Sequence, residues 1–259
     1  MAFELSVNLE YGFHEAGERL EDRIAAAAAA GFSKVETFTM AGRDVASVRA
    51  ALDSNGVTLW SMVNDPRTRI VDPQTHDEFR ANVRQSAENA VALGCKRVVI
   101  ASGPAVPYMK RAVQLQIVAD AVASVVPIAE QHDLTLILEA VNTRVDHPGV
   151  LFAMTEDSAK VAKLVKSPRV RLLYDLYHSI VEGEDPEAVL PGVIHLVDHV
   201  QIADAPGRGE PGSGAIDWPA RLAMFERLGY TGTIGVECSP TRQPTGEALA
   251  YIKGLCAKG

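Results

Sequence analysis

The sequence predicts a single (β/α)8 barrel, an α/β fold forming one domain over residues 1–259. Three observations carry that expectation. Short apolar runs alternate with amphipathic segments eight times, with no Pro/Gly/Ser linker between repeats. The 259 residues match the roughly 250 typical of such a barrel. No glycine-rich dinucleotide fingerprint follows the first strand, as an open nucleotide-binding sheet would require.

The elements follow in order. Residues 3–9 form the first strand and residues 17–30 an Ala-rich helix, alanine being the best helix former, stopped at Gly31. Residues 34–38 and 44–55 give the second strand and helix, closed by Asn55-Gly56. Residues 57–63 and 75–93 make the third pair, ending at Gly94, and residues 97–101 and 110–131 the fourth, with Pro127 placed to kink its helix. The later strands reach Glu139, Asp175, Gln201 and Glu237. Their helices cover residues 156–165, a short stretch from Pro186, residues 219–228 and residues 246–257.

Composition narrows the function. Hydrophobic residues at 47% fill a large core, and 22% charged residues exclude a disordered chain. A net charge of −8 without a Lys/Arg cluster argues against a nucleic-acid partner. Residues 1–11 lack the basic start and apolar centre of a signal peptide, and no uncharged stretch approaches a membrane span. Cys95, Cys238 and Cys256 have no paired spacing, so neither a disulfide framework nor a zinc site is expected, and the cytoplasm is the expected compartment.

Four strands end alike. The runs 134–138, 170–174, 194–200 and 233–236 lead into Glu139, Asp175, Gln201 and Glu237, at intervals of 36, 26 and 36 residues. Parallel strands place these ends side by side at the carboxyl end of the barrel, where active sites of this fold lie. Three converging carboxylates repel one another unless a cation holds them, and an oxygen donor set suits Mg²⁺ or Mn²⁺, with Co²⁺ also admissible.

The strings YDLYH at 174–178, QIAD at 201–204 and RGEPGSG at 208–214 occur in order between Glu139 and Glu237. At these strings the chain resembles the hydroxypyruvate isomerase family, within the xylose isomerase-like TIM barrels that also contain ketose 3-epimerases. The resemblance implies that Glu139, Asp175, Gln201 and Glu237 ligate a divalent metal ion. It also implies that Glu139 and Glu237 exchange a proton with the substrate, and that His178, Arg208 and Glu210 bind it. Epimerase relatives usually carry histidine where Gln201 stands. The chain departs from the family in Glu139-Ala140, usually Glu-Pro, and in the loop 64–69, which contains Arg67 and Arg69. Barrel loops change specificity while the fold persists, so these departures bear on the substrate.

The expected activity is aldose–ketose isomerisation of a small hydroxy-carbonyl compound through an enediolate, with ketose 3-epimerisation as the alternative. A metal-dependent endonuclease would need a histidine-rich site and a basic face. A non-catalytic sugar-binding barrel would be expected to have lost ligands, yet all four positions are filled. Less specific readings apply elsewhere. Asn142, Arg144, Asp146 and His147 suit a hydrogen-bonded loop, and Glu210 suits a loop buttress as well as it suits substrate. His195 and His199 read as packed or surface residues and Trp60 and Trp218 as core or rim residues, while Asn8 and Glu36 are minor candidates for the pocket wall. A homo-oligomer is compatible with such a barrel, though no sequence feature demonstrates one.

Overall fold

Eight parallel strands pair in chain order and close on themselves in the computed structural model, which describes residues 3–257. They are β1 (Leu5–Asn8), β2 (Lys34–Thr37), β3 (Thr58–Val63), β4 (Arg97–Ala101), β5 (Thr135–Glu139), β6 (Val170–Asp175), β7 (Val197–Ile202) and β8 (Ile234–Val236). The barrel closes where Val7 pairs with Val236. The main outer helices are α1 (Leu20–Ala29), α2 (Val45–Asn55), α3 (His76–Leu93), α4 (Arg111–Gln131) and α5 (Thr155–Val165). They continue with α6 (Leu176–Glu182), α7 (Pro186–Val189), α8 (Trp218–Arg227), α9 (Thr245–Ala248) and α10 (Ala250–Cys256).

Local chemistry explains the starts and stops. The Asp44 carboxylate accepts from the Ala46 and Ser47 amides to cap α2, and Gly56 ends it at φ +63°. Asp217 caps α8 in the same way through Ala220 N. The helix α4 is long and apolar enough to cross a membrane by length and composition, although Asp120 interrupts its apolar run. Its Leu115, Val118, Val122, Val125 and Ile128 are instead buried against the rest of the fold, and the helix continues through Pro127.

Three expectations are corrected. Residues 194–196 form a 3-10 turn, so β7 begins only at Val197. The chain turns into α6 directly after Asp175, whose Oδ1 accepts the His178 amide at 3.0 Å and caps the helix. Tyr177 and His178 therefore belong to a helix that precedes the one expected from Pro186. The last helix is divided at Leu249 into α9 and α10.

Alternation along the strands divides the barrel interior. Val63, Val99, Ile137 and Leu173 form one buried apolar layer on β3–β6, packed against Phe38. The other half is polar, with Ser6 and Asn8 on β1, Glu36 on β2, and His199 and Gln201 on β7, all buried. Gly235 on β8 makes room for this polar half. A Cβ there would overlap Glu36 Oε1 and come within 2.9 Å of His199 Nε2. Gly235→Ala is expected to lower the unfolding free energy by about 1–3 kcal/mol through overpacking. Urea denaturation checks this, and an unchanged midpoint would show that the array yields to the methyl group.

Candidate metal and catalytic site

The carboxyl ends of the strands open into a cavity of about 580 Å³ lined in part by Asn8, Glu36, Glu139, His178, Gln201 and Glu237. Glu139 and Asp175, from the adjacent strands β5 and β6, and His178 from the first turn of α6 present ligand atoms within 4.8 Å of one another. A group so spaced can hold a metal ion. Asp175 divides its labour, Oδ1 capping α6 while Oδ2 is buried without a donor.

Gln201 stands beside Asp175 in the sheet register. Its Nε2 donates to Glu36 Oε2 at 2.8 Å and to Glu237 Oε2 at 2.9 Å. Both amide hydrogens are thereby committed, and the carbonyl Oε1 is left buried without a donor. Among the described residues, Asp175 Oδ2 and Gln201 Oε1 are the buried side-chain acceptors with no hydrogen-bond partner. Burying such an oxygen unpaired is costly unless something else meets it.

Glu237 follows β8 and is held by three donors. Arg208 Nη2 reaches Oε1 at 2.6 Å, while Asn8 Nδ2 and Gln201 Nε2 reach Oε2 at 2.8 and 2.9 Å. Burial and the nearby Glu139 charge nevertheless raise its pKa well above the usual carboxylate range, against the opposing pull of Arg208. The Glu139 carboxylate accepts no hydrogen bond from the described residues, and burial and charge are what act on it. Burial and then the Asp175 charge push its carboxyl up to about 8.

Arg208 adopts φ +56°, an uncommon conformation for a residue with a side chain. That turn sends the guanidinium inward between the rings of Tyr11 and Tyr177, at 5.0 and 5.2 Å, and to within 3.3 Å of His178 Nε2. His178 accepts the Asn142 backbone amide at Nδ1, 3.3 Å away. Its Nε2 lies on the other side of the ring, 3.3 Å from the Arg208 guanidinium, which can only donate. Burial and the Arg208 charge pull the His178 pKa down to about 4, so the ring is neutral near pH 7.

Glu139, Gln201, Glu237, His178 and Arg208 line the cavity, Asp175 lies outside that lining with its ligand atom within 4.8 Å of those of Glu139 and His178, and Glu210 is not in the lining. Glu210 instead accepts from Thr241 N, Thr241 Oγ1 and Arg242 Nε, tying its loop to the segment after β8. Asn142 organises the loop after β5, accepting from the Val145 and Asp146 amides. The sequence reading undervalued Glu36, His199 and Trp60. His199, expected as a packed or surface histidine, and Trp60, expected as a core or rim residue, are hydrogen-bonded to each other beneath the site. Glu36 is a polar strand end like Glu139, and that signal was present.

A family model for the xylose isomerase-like TIM barrel matches residues 24–255. The chain belongs to the xylose isomerase-like TIM barrel family. Within it, the chain is 32% identical over 240 residues to a 2-oxo-tetronate isomerase of Cupriavidus necator, covering 90% of this chain and 91% of the relative. It is 27% identical over 258 residues to a hydroxypyruvate isomerase of Escherichia coli, covering 96% of each. A crystal structure described as an AP endonuclease, family 2, from Brucella melitensis superposes with a TM-score of 0.90 at 26% identity, covering 97% and 98% of the two chains. The chain is thus a hydroxypyruvate/2-oxo-tetronate isomerase-like member of the xylose isomerase-like barrels.

The raised carboxyls set a pH dependence for the metal-free protein. A carboxyl with a folded pKa of about 8 and an ordinary value of 4.5 binds more protons folded than unfolded between those limits. Stability therefore falls as pH rises through that window and levels off above it. Thermal melts of chelator-treated protein should show this fall, and Glu139→Gln should make it shallower. Equal slopes in the two proteins would contradict the buried-charge reading of Glu139.

Proposed function

We propose that the chain is a divalent-metal-dependent isomerase of a small hydroxy-carbonyl acid or short sugar, working by carboxylate proton transfer through an enediolate. The observation that carries this reading is the pair of donorless oxygens, Asp175 Oδ2 and Gln201 Oε1, buried beside Glu139 and Glu237. An all-oxygen set of three carboxylates and one amide carbonyl fits Mg²⁺ or Mn²⁺ and accounts for both atoms. Glu139, Asp175, Gln201 and Glu237 would hold the ion. When bound, it supplies Lewis-acid stabilisation of negative charge developing on the substrate oxygens.

The chain's own groups do the rest. Glu139, whose carboxylate has no hydrogen-bond donor among the described residues, would take the proton next to the substrate carbonyl, and Glu237 would be the partner acid. His178 and Arg208, side by side at the cavity, would bind the substrate oxygens, and Arg208 would balance the charge that builds on them. A relative named for 2-oxo-tetronate and one named for hydroxypyruvate make acids of three or four carbons the first substrates to try.

A ketose 3-epimerase is the second reading, favoured by a cavity of about 580 Å³, roomy for a three-carbon acid. The endonuclease reading has less support: the candidate metal group contains a single histidine, and the chain carries a net charge of −8. Chelator-stripped protein should regain turnover of hydroxypyruvate, 2-oxo-tetronate or a panel sugar on adding Mn²⁺ or Mg²⁺, and the product separates isomerase from epimerase. No metal binding and no turnover would leave a binding protein.

Glu237→Gln should lower kcat on the substrate so identified by about 10²–10⁴-fold while the far-ultraviolet circular dichroism stays unchanged. Near-normal turnover would remove Glu237 from the proton path. Arg208→Ala should chiefly raise KM, and unaltered kinetics would make the Arg208–Glu237 pair purely structural.

A further inference from the structure

Beneath the proposed metal set lies a second buried polar cluster, centred on Glu36, that the chemistry above does not use. Its carboxylate is surrounded by donors. Ser6 Oγ donates to Oε1, Ser61 Oγ to Oε2 at 2.9 Å, and Gln201 Nε2 to Oε2 at 2.8 Å. His199 Nε2 stands 2.9 Å from Oε1. The indole of Trp60 can only donate, and its Nε1 points at His199 Nδ1 from 3.2 Å. Nδ1 is therefore the acceptor, and the His199 proton lies on Nε2, directed at Glu36. Every oxygen lone pair of Glu36 facing this cluster is engaged, so the residue is not itself a free ligand. Serine hydroxyls, an imidazole N–H and an amide N–H around one buried carboxylate make a fixed acceptor in the barrel axis.

That acceptor faces one consequential group. A glutamine side chain can present its carbonyl or its amino end by rotating about its last torsion, with nearly equal shape. Glu36 on one side and Glu237 on the other accept both amino hydrogens of Gln201, which leaves the carbonyl oxygen as the end turned away from them. We propose that Glu36 is a positioning residue that fixes the orientation of the Gln201 amide, so that its carbonyl oxygen faces the Asp175 and Glu139 carboxylates. Trp60 and His199 hold Glu36 in place from below, and Gly235 leaves the space in which it stands. The same geometry gives a reason for glutamine at position 201. A carboxylate there would face Glu36 and Glu237 without a proton to offer either, whereas an amide neutralises both contacts and keeps an oxygen for the site.

This inference rests on the proposed function for its catalytic consequence but not for its geometry, and the two are tested separately. In metal-free protein, ¹H–¹⁵N spectra should show two exchange-protected side-chain amide protons of Gln201, assigned by their loss in Gln201→Ala. One of them should lose protection in Glu36→Gln and in Glu36→Asp. The aspartate keeps the charge and withdraws the acceptor by one methylene, and it serves as well if the glutamine variant fails to fold. Unchanged Gln201 signals in a folded variant would overturn the proposal, whatever the protein binds.

Isothermal calorimetry with Mn²⁺ then reads the consequence. Glu36→Gln and Glu36→Asp should each weaken binding about 10–100-fold. Glu36→Gln combined with Gln201→Ala should bind no more weakly than Gln201→Ala alone, because Glu36 acts through the amide. Additive losses, or an aspartate variant that binds like the wild type, would assign Glu36 a direct charge effect and overturn the positioning role. If the wild-type protein binds no Mn²⁺, the metal reading fails while the amide spectra still decide the orientation.

Discussion

Four carboxylates share the carboxyl half of one barrel interior, and their mutual repulsion governs the rest of the site. Glu36, Glu139, Asp175 and Glu237 lie on or next to strands β2, β5, β6 and β8, and burial makes each charge costly. The protein meets this cost unequally. Burial pushes the Glu36 carboxyl up, but the neighbouring His199 and the surrounding donors outweigh it and hold its pKa below the usual carboxylate range. Glu237 has Arg208, Asn8 and Gln201, Asp175 has half of its need met by the cap of α6, and the Glu139 carboxylate has no donor among the described residues. The unmet remainder falls on one side of the cavity, where a cation relieves it best.

Irregularities in the sheet produce this arrangement. Val35 pairs with Leu59 but Glu36 with Ser61, which makes Trp60 an extra residue in β3. Leu172 pairs with Val197 but Leu173 with His199, which makes Asp198 an extra residue in β7. Such bulges re-aim side chains. They let Trp60 approach His199, and they place His199 and Gln201 on the same inward face as Glu36. Lys34 and Arg97 each lie against the Trp60 ring, at 3.8 and 3.7 Å, and Arg97 pairs with Asp198 at 2.6 Å. The floor of the barrel thus ties the two bulged strands together.

The loop after β7 solves a different problem, that of delivering a cation side chain into a crowded acidic pocket. Asp204 accepts from the Gly212 and Ile216 amides and from Trp218 Nε1, pinning the RGEPGSG segment on both sides. Glu210 pins its middle to Thr241 and Arg242. So anchored, the backbone sustains the positive φ of Arg208, and the guanidinium stays stacked between two tyrosine rings beside Glu237.

By itself the sequence determined the barrel and the polar strand ends, because a parallel strand buried on both faces reads as an apolar run whatever surrounds it. Helix stops at Gly56 and Gly94 were equally legible, since a left-handed residue there favours glycine. The helix α6 was not, because its cap is Asp175, a residue that the strand-end pattern had already claimed for chemistry. Nor were the roles of His199, Trp60 and Glu36 legible. They depend on register shifts between strands far apart in the chain, and a single sequence carries no record of which residue faces which across a sheet. Tertiary structure decided that Glu210 braces a loop outside the cavity lining and that the Gln201 amide is turned by its neighbours. The physical reason is common to both: a side chain's composition fixes which bonds it can make, and only packing fixes which partner arrives.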